Sequence, residues 1–265
     1  EGMNEKGLSA GLFYFPDYGK YEEYSEANYE TNISDFQLVS YILGRCATVD
    51  EVKAEIARVH IHGFDPRSST VHWRFAEPSG RQIVLEIIDG KCVFYENKLV
   101  VLTNSPSFDW QLTNLNNYVT LMPGRTEPHT IGNMSLSSFG GGSAMIGLPG
   151  DFTPPSRFVR AAFFQNTAPQ KPDAEGSVFT AFHILGSMEI PIGAQFPVDE
   201  TPADIPSATQ CTCVTDMSGL KFYYRSMYDG GIRCIDLKEI DFKKIGLKSE
   251  PLVPSKKEFV HHIRF

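Results

Sequence analysis

The period of the apolar positions changes several times along this chain, and each change marks an element. Residues 7–15, Gly-Leu-Ser-Ala-Gly-Leu-Phe-Tyr-Phe, are small and apolar and predict a buried strand. A polar, tyrosine-rich loop follows over 16–31. Two helices come next. Ser34 or Asp35 can cap the first, which brings Phe36, Val39, Leu43 and Cys46 onto one face. Thr48 and Glu51 form a capping box for the second, whose stripe is Val49, Val52, Ile56 and Val59. A strand meander then occupies 70–76 and 82–88 around Pro78-Ser79-Gly80, 91–95 after Asp89-Gly90, and 99–103. Asn104-Ser105-Pro106 breaks it, and Phe108, Leu112, Leu115 and Val119 recur at helical spacing.

A glycine-rich loop over 139–150 leads to Pro154-Pro155 and a helix over 156–166, where proline suits the first helical turn. A further helix is expected over 174–188. The last third returns to strands at 208–215, 221–227 and 232–237, with Asp229-Gly230 turning the final pair. Helix pairs alternating with antiparallel meanders give an α+β class. The expectation is one domain over 1–265, with the charged, proline-punctuated 243–265 as a surface tail.

Composition narrows the choice of partner. The 42% apolar fraction and 19 phenylalanines suit a well-buried core. No apolar run approaches the roughly 20 residues of a membrane span, so no membrane partner is expected. The net charge is −8 with no block of Lys or Arg, which argues against nucleic acid. The five cysteines lack framework spacing, so a disulfide scaffold is not expected. Cys211 and Cys213 share a strand face and could see one metal. No second Cys or His pair completes such a site, and half-buried strand cysteines are the plainer reading. No metal or cofactor is expected.

Candidate chemistry is sparse on local grounds. Asn104 ends a strand just before a helix, so it can be a turn or N-cap residue, or an amide donor to a tetrahedral oxyanion. Asn4, before Glu5-Lys6-Gly7-Leu8, admits the same two readings. Arg157 lies in the first turn of its helix beside Arg160, against the macrodipole; it is either solvated or has a specific anionic partner. Gly140-Gly141-Gly142-Ser143 lacks the strand–turn–helix setting and Lys-Ser/Thr ending of a phosphate loop. His60 and His62 have same-face strand spacing but no completing ligand, and His261-His262 falls in the tail.

Four segments carry a family resemblance: Glu1-Gly2-Met3-Asn4-Glu5-Lys6-Gly7-Leu8; Thr70-Val71-His72-Trp73; the run from Val101 through Asn104-Ser105-Pro106 to Leu115; and Gly147-Leu148-Pro149-Gly150-Asp151-Phe152-Thr153-Pro154-Pro155-Ser156-Arg157-Phe158-Val159-Arg160-Ala161. Together they resemble the choloylglycine hydrolase family, which holds conjugated bile acid hydrolases and penicillin V acylases. The resemblance implies an N-terminal nucleophile (Ntn) hydrolase, an αββα sandwich of two antiparallel sheets between helical layers. It implies cleavage of the amide bond of a small N-acyl substrate by a cysteine at the mature N terminus, whose α-amino group acts as base. That cysteine, an early arginine and an early aspartate are expected upstream of Glu1, so this chain alone is expected to be inactive or complemented by a second fragment.

By the same resemblance, Asn104 matches an oxyanion asparagine and Arg157 an arginine that organises the site. Asn4 matches a position that is asparagine in bile salt hydrolases and tyrosine in some penicillin acylases. Phe64, in a loop over 62–69, matches a lining of the acyl pocket. The run Thr153-Pro154-Pro155-Ser156-Arg157 resembles the penicillin V acylase branch, with bile salt hydrolase or a non-catalytic acyl-amide binder as alternatives. A homo-oligomer, commonly a tetramer, and a cytoplasmic location complete the expectation.

Overall fold

A computed structural model describes residues 1–265 apart from 66–67, 198, 200–206, 254, 261 and 265. It is α+β. The larger sheet has five antiparallel strands in the order β1-β2-β5-β6-β7: β1 Gly2–Met3, β2 Ser9–Tyr14, β5 Val71–Ala76, β6 Gln82–Ile88 and β7 Lys91–Glu96. Between β2 and β5 the chain forms β3 Asn32–Ser34, α1 Leu38–Leu43, α2 Val49–Ile56 and β4 His60–His62, and β3 pairs with β4 in parallel. After β7 come α3 Phe108–Asn114, a hairpin of β8 His129–Ile131 and β9 Met134–Leu136, then α4 Pro154–Thr167 and α5 Ala174–Gly186. A second antiparallel sheet closes the fold: β10 Cys211–Asp216, β11 Lys221–Ser226 and β12 Asp229–Asp236.

Apolar alternation decides which face meets which helix. Trp73, Phe75, Ile83, Leu85 and Ile87 project from the five-stranded sheet onto Leu38, Ile42, Val49, Val52 and Ile56 of α1 and α2. Val84, on the opposite face of β6, joins Phe108 of α3 and Phe158 of α4. A sheet covered on both faces needs near-continuous burial, and Gln82 to Ile87 is buried throughout. Val178 and Phe182 of α5 cover Tyr223, Val214 and Ile232 of the second sheet. Each fully buried side chain of this size contributes about 1.5–3 kcal/mol of transfer free energy.

Several local expectations need correction. The first helix opens with a 3₁₀ turn, Asp35–Gln37, where Ser34 and Gln37 make the capping box; the buried face is Leu38, Val39 and Ile42, and Phe36 is exposed. The extra turn rotates the stripe. Residues 99–103 form no strand. Val100 has φ of 57°, and the Val101 and Thr103 carbonyls accept from the side chains of Asn97 and His72 rather than from a ladder. The periodic run from Phe108 becomes 3₁₀ at Leu115–Tyr118, so Leu112 and Val119 are exposed. Asp229-Gly230 begins β12 instead of turning before it. The β8–β9 hairpin was not expected. Of the tail histidines, His262 is exposed and His261 lies outside the described residues.

The two sheets approach each other at Gly7, where φ is 81° and a Cβ would stand 2.5 Å from the Met217 carbonyl oxygen. Gly80 has a similar φ of 87° with open space around it. Left-handed strain costs about 1–2 kcal/mol at either position. Gly7→Ala is therefore expected to lower the urea midpoint more than Gly80→Ala, because it adds the collision between the sheets; equal losses would refute that contact.

Candidate active site

The site is built on three consecutive residues at the end of the 99–105 segment. Thr103 is buried. Its carbonyl accepts from His72 Nε2 at 3.1 Å, and its Oγ1 donates to the Pro154 carbonyl at 3.1 Å. Asn104 Nδ2 donates to the Tyr14 carbonyl at 2.7 Å, at the end of β2. Ser105 Oγ donates to the Pro16 carbonyl at 2.6 Å, and the Ser105–Pro106 peptide is cis. One short stretch is thereby tied to β5, to the outlet of β2 and to the start of α4.

Arg157 approaches from α4. Its Nη2 donates to Asn104 Oδ1 at 2.7 Å, and its Nε to the Phe152 carbonyl at 3.0 Å. These partners are neutral, and among the described residues no carboxylate pairs with it. Burial, with repulsion from Arg160 second, lowers the Arg157 pKa from its ordinary value. Of the two readings of Arg157, solvated or paired with an anion, neither holds among the described residues: it is half-buried without a carboxylate, so its positive field remains open to a ligand.

The Arg157–Asn104 bond has two consequences. It sets the amide orientation, with oxygen toward the guanidinium and nitrogen toward Tyr14. It also leaves one Nδ2–H of Asn104 without a partner among the described residues. A half-buried amide N–H held beside a guanidinium is a preorganised donor for developing negative charge.

The loop before α4 holds Arg157 in place. Buried Arg160 donates Nη1 to the carbonyls of Pro149 and Asp151 at 2.8 and 2.5 Å. The Asp151 carboxylate accepts from Thr153 N at 2.9 Å and Ser156 Oγ at 2.7 Å. Arg157 and Arg160 thus divide the work: one faces Asn104 and the other clamps the backbone.

Asn4 does not join this cluster. Its Nδ2 donates to the carbonyls of Leu43 and Cys46 at 2.9 and 2.7 Å, and its Oδ1 accepts from the main chain of Lys6 and Leu8. Both amide protons are therefore committed to fixing the β1–β2 turn against the end of α1. Leu8 and Tyr14 are separated by about 20 Å of extended strand, at about 3.3 Å per residue. In this structure Asn4 holds the turn, and the residue bonded to Asn104 at the β2 end is Tyr14, whose side chain is exposed. Nothing in the local pattern distinguished Tyr14 from its neighbours, because its role comes through a carbonyl oxygen.

Phe64 is 71% exposed; its ring lies edge-on to Phe36 at 6.1 Å, and its main-chain N–H donates to Asp35. It contacts neither Asn104 nor Arg157. A cavity of about 530 Å³ is lined by Phe13, Leu102, Ala161, Leu185 and Cys213 among others, but not by Asn104 or Arg157. Cys213, the cysteine in that lining, offers no activated thiol. Burial raises the Cys46 pKa, and burial with Cys211 beside it pushes Cys213 up to about 12. Among the described residues no three His, Cys, Asp or Glu side chains gather as metal ligands. His60 pairs with Glu22 at 2.8 Å on the surface.

The family model of linear amide C–N hydrolases, choloylglycine hydrolase family, matches residues 1–250. A bile salt hydrolase/transferase of Clostridium perfringens is 34% identical over 244 residues, covering 90% of this chain and 72% of the relative. That of Lactiplantibacillus plantarum is 33% identical over 256 residues, covering 95% and 77%. A penicillin V acylase of Pectobacterium atrosepticum is 30% identical over 268 residues, covering 93% and 64%. Among solved structures, a variant of conjugated bile acid hydrolase from Clostridium perfringens superposes with a TM-score of 0.84 at 31% identity, covering 99% of this chain and 79% of the other. Penicillin V acylase from Agrobacterium tumefaciens gives 0.71 at 25% identity, covering 91% and 66%.

Hydrogen bonds from Thr153 and Ser156 hold the Asp151 carboxyl down at about 2, against an ordinary 3.8. A depressed carboxylate stabilises the fold above its unfolded pKa, and that contribution disappears as pH falls through the folded value. Between pH of about 3.8 and 2, Asp151→Asn is therefore expected to flatten the loss of stability on acidification, read as melting temperature against pH. An unchanged slope would remove Asp151 from the support of the α4 entrance.

Proposed function

The chain belongs to the choloylglycine hydrolase family of linear amide C–N hydrolases, and from that membership we propose that it supplies the oxyanion side of a cysteine amidase acting on small N-acyl amides. The observation that carries this reading is the Arg157–Asn104 pair, with one amide N–H uncommitted. The nucleophile in this proposal is a cysteine at a mature N terminus upstream of Glu1. Its thiolate attacks the amide carbonyl, and Asn104 Nδ2–H receives the negative oxygen. The α-amino group takes the thiol proton and returns it to the departing amine. Water then cleaves the thioester, releasing the acid and restoring the thiol.

For the acyl group, conjugated bile acids are the first reading, because the bile salt hydrolases stand at 34% and 33% identity. Penicillin V is the second: the run Thr153-Pro154-Pro155-Ser156-Arg157 resembles the penicillin V acylase branch, and a penicillin V acylase stands at 30% identity. Phe64 with Phe36 offers an exposed aromatic pair for an apolar acyl group in either case. A homo-oligomer fits the exposed apolar arm of Val119, Met122, Ile131, Met134 and Phe139. No helix among the described residues is long and apolar enough to cross a membrane. Five free thiols favour a reducing compartment, the cytoplasm.

Asn104→Ala in the active enzyme is expected to lower kcat by about 10²–10³-fold, with the reaction read as amine release from glycocholate and from penicillin V. A kcat close to wild type on both substrates would end the oxyanion assignment. Phe64→Ala is expected to raise KM while leaving kcat largely intact, the signature of lost uniform binding. A change confined to kcat would place Phe64 elsewhere in the cycle.

A further inference from the structure

His72 and Glu86 stand one position beyond the Trp73–Leu85 end of the β5–β6 ladder, on the sheet face turned toward α3 and α4. Both are fully buried. Glu86 Oε1 lies 3.1 Å from His72 Nδ1 and accepts from Phe108 N, in the first turn of α3, at 2.9 Å. His72 Nε2 meets the Thr103 carbonyl at 3.1 Å. The imidazole also lies flat against Phe15, with ring centroids 4.4 Å apart and planes 9° apart.

A carboxylate and an imidazole are costly to bury, and strands this apolar could have been filled with branched side chains. Both ring nitrogens face acceptor oxygens. The Glu86 carboxyl at Nδ1 orients the ring so that Nε2 faces the Thr103 carbonyl, and Thr103 is covalently next to Asn104. Glu86 Oε2 has no partner among the described residues, a sign that the pair is not there for stability alone.

We propose that His72 and Glu86 are positioning residues for amide cleavage, holding the Thr103 carbonyl so that Asn104 presents its free amide proton to the developing oxyanion. The inference rests on the reading of Asn104 as that donor. Glu86 anchors both the imidazole and the start of α3, and Phe15 fixes the ring plane. A rotation of the 103–105 segment would swing the Asn104 amide away from Arg157. Misplacement of about 1 Å in such a group costs up to about a hundredfold in rate.

The test is a double-mutant cycle in the active enzyme. His72→Leu alone is expected to lower kcat by about tenfold to a hundredfold with KM nearly unchanged. In an Asn104→Ala background it should cost little more, because the donor it positions is already gone. His72→Gln, which keeps a donor toward Thr103, should recover part of kcat, and it replaces His72→Leu in the cycle if that variant does not fold. Equal fold-losses of kcat in both backgrounds, or an effect confined to KM or to melting temperature, would overturn the positioning role. Wild-type kcat in Asn104→Ala alone would instead overturn the oxyanion reading, so the two failures are distinguishable.

Discussion

The structure depends on the anchoring of residues 103–105, which lie in no regular ladder and yet bond to three separate parts of the fold. The Thr103 carbonyl is held by His72, the Asn104 amide by the Tyr14 carbonyl and Arg157, and the Ser105 hydroxyl by the Pro16 carbonyl. A segment outside a sheet must place its backbone polar groups somewhere, since each unpaired buried group costs about 1–3 kcal/mol. Here side chains provide the partners. The same bonds that satisfy the backbone also fix the direction of the Asn104 amide.

Charge follows the same logic. Arg157 and Arg160 lie one turn apart in α4, and both are drawn out of water. Arg160 is offset by the Pro149 and Asp151 carbonyls and by the Phe152 ring at 5.7 Å. Among the described residues Arg157 has only a carbonyl and a carboxamide oxygen, so its charge is incompletely compensated there. A guanidinium in that state favours negative charge nearby, which an amidase generates transiently on the carbonyl oxygen. The overall charge of −8 does not oppose this, because a half-buried cation acts at short range, where surface carboxylates are screened.

Much of this was legible in the sequence, and the omissions have physical reasons. The Thr48 cap of α2, the proline start of α4 and the β5–β6 hairpin were readable because their signals are local; the Glu51 side chain reaches Ala47 N instead of completing the box. Asn104 and Arg157 were picked out together, and the structure brings them to 2.7 Å. For Asn4 a turn amide and an oxyanion amide look alike in one dimension; the Leu43 and Cys46 carbonyls show where its protons go in this structure. Residues 99–103 resembled a strand by composition, but β-branched residues also fill buried extended segments whose hydrogen bonds are supplied by side chains. Tyr14 contributes a backbone oxygen, so its residue type carried no signal. His72 and Glu86 did leave one, a histidine and a glutamate at buried positions of apolar strands, but their pairing appears only once β5 and β6 are in register.

The division between reaction and recognition follows from this architecture. Asn104 and Arg157 are fixed by the core sheet and by α4, elements whose inner faces are closely packed and tolerate little movement. Phe64 and Phe36 lie instead at the edge of the short β3–β4 pair, exposed and bound to the core mainly through Asp35. On the proposed function, a rigidly held Asn104–Arg157 pair and a loosely supported aromatic surface would let the acyl group vary without disturbing the chemistry. Substrate choice would then belong to the periphery, and the residues around Asn104 would carry the common step, attack on an amide carbonyl.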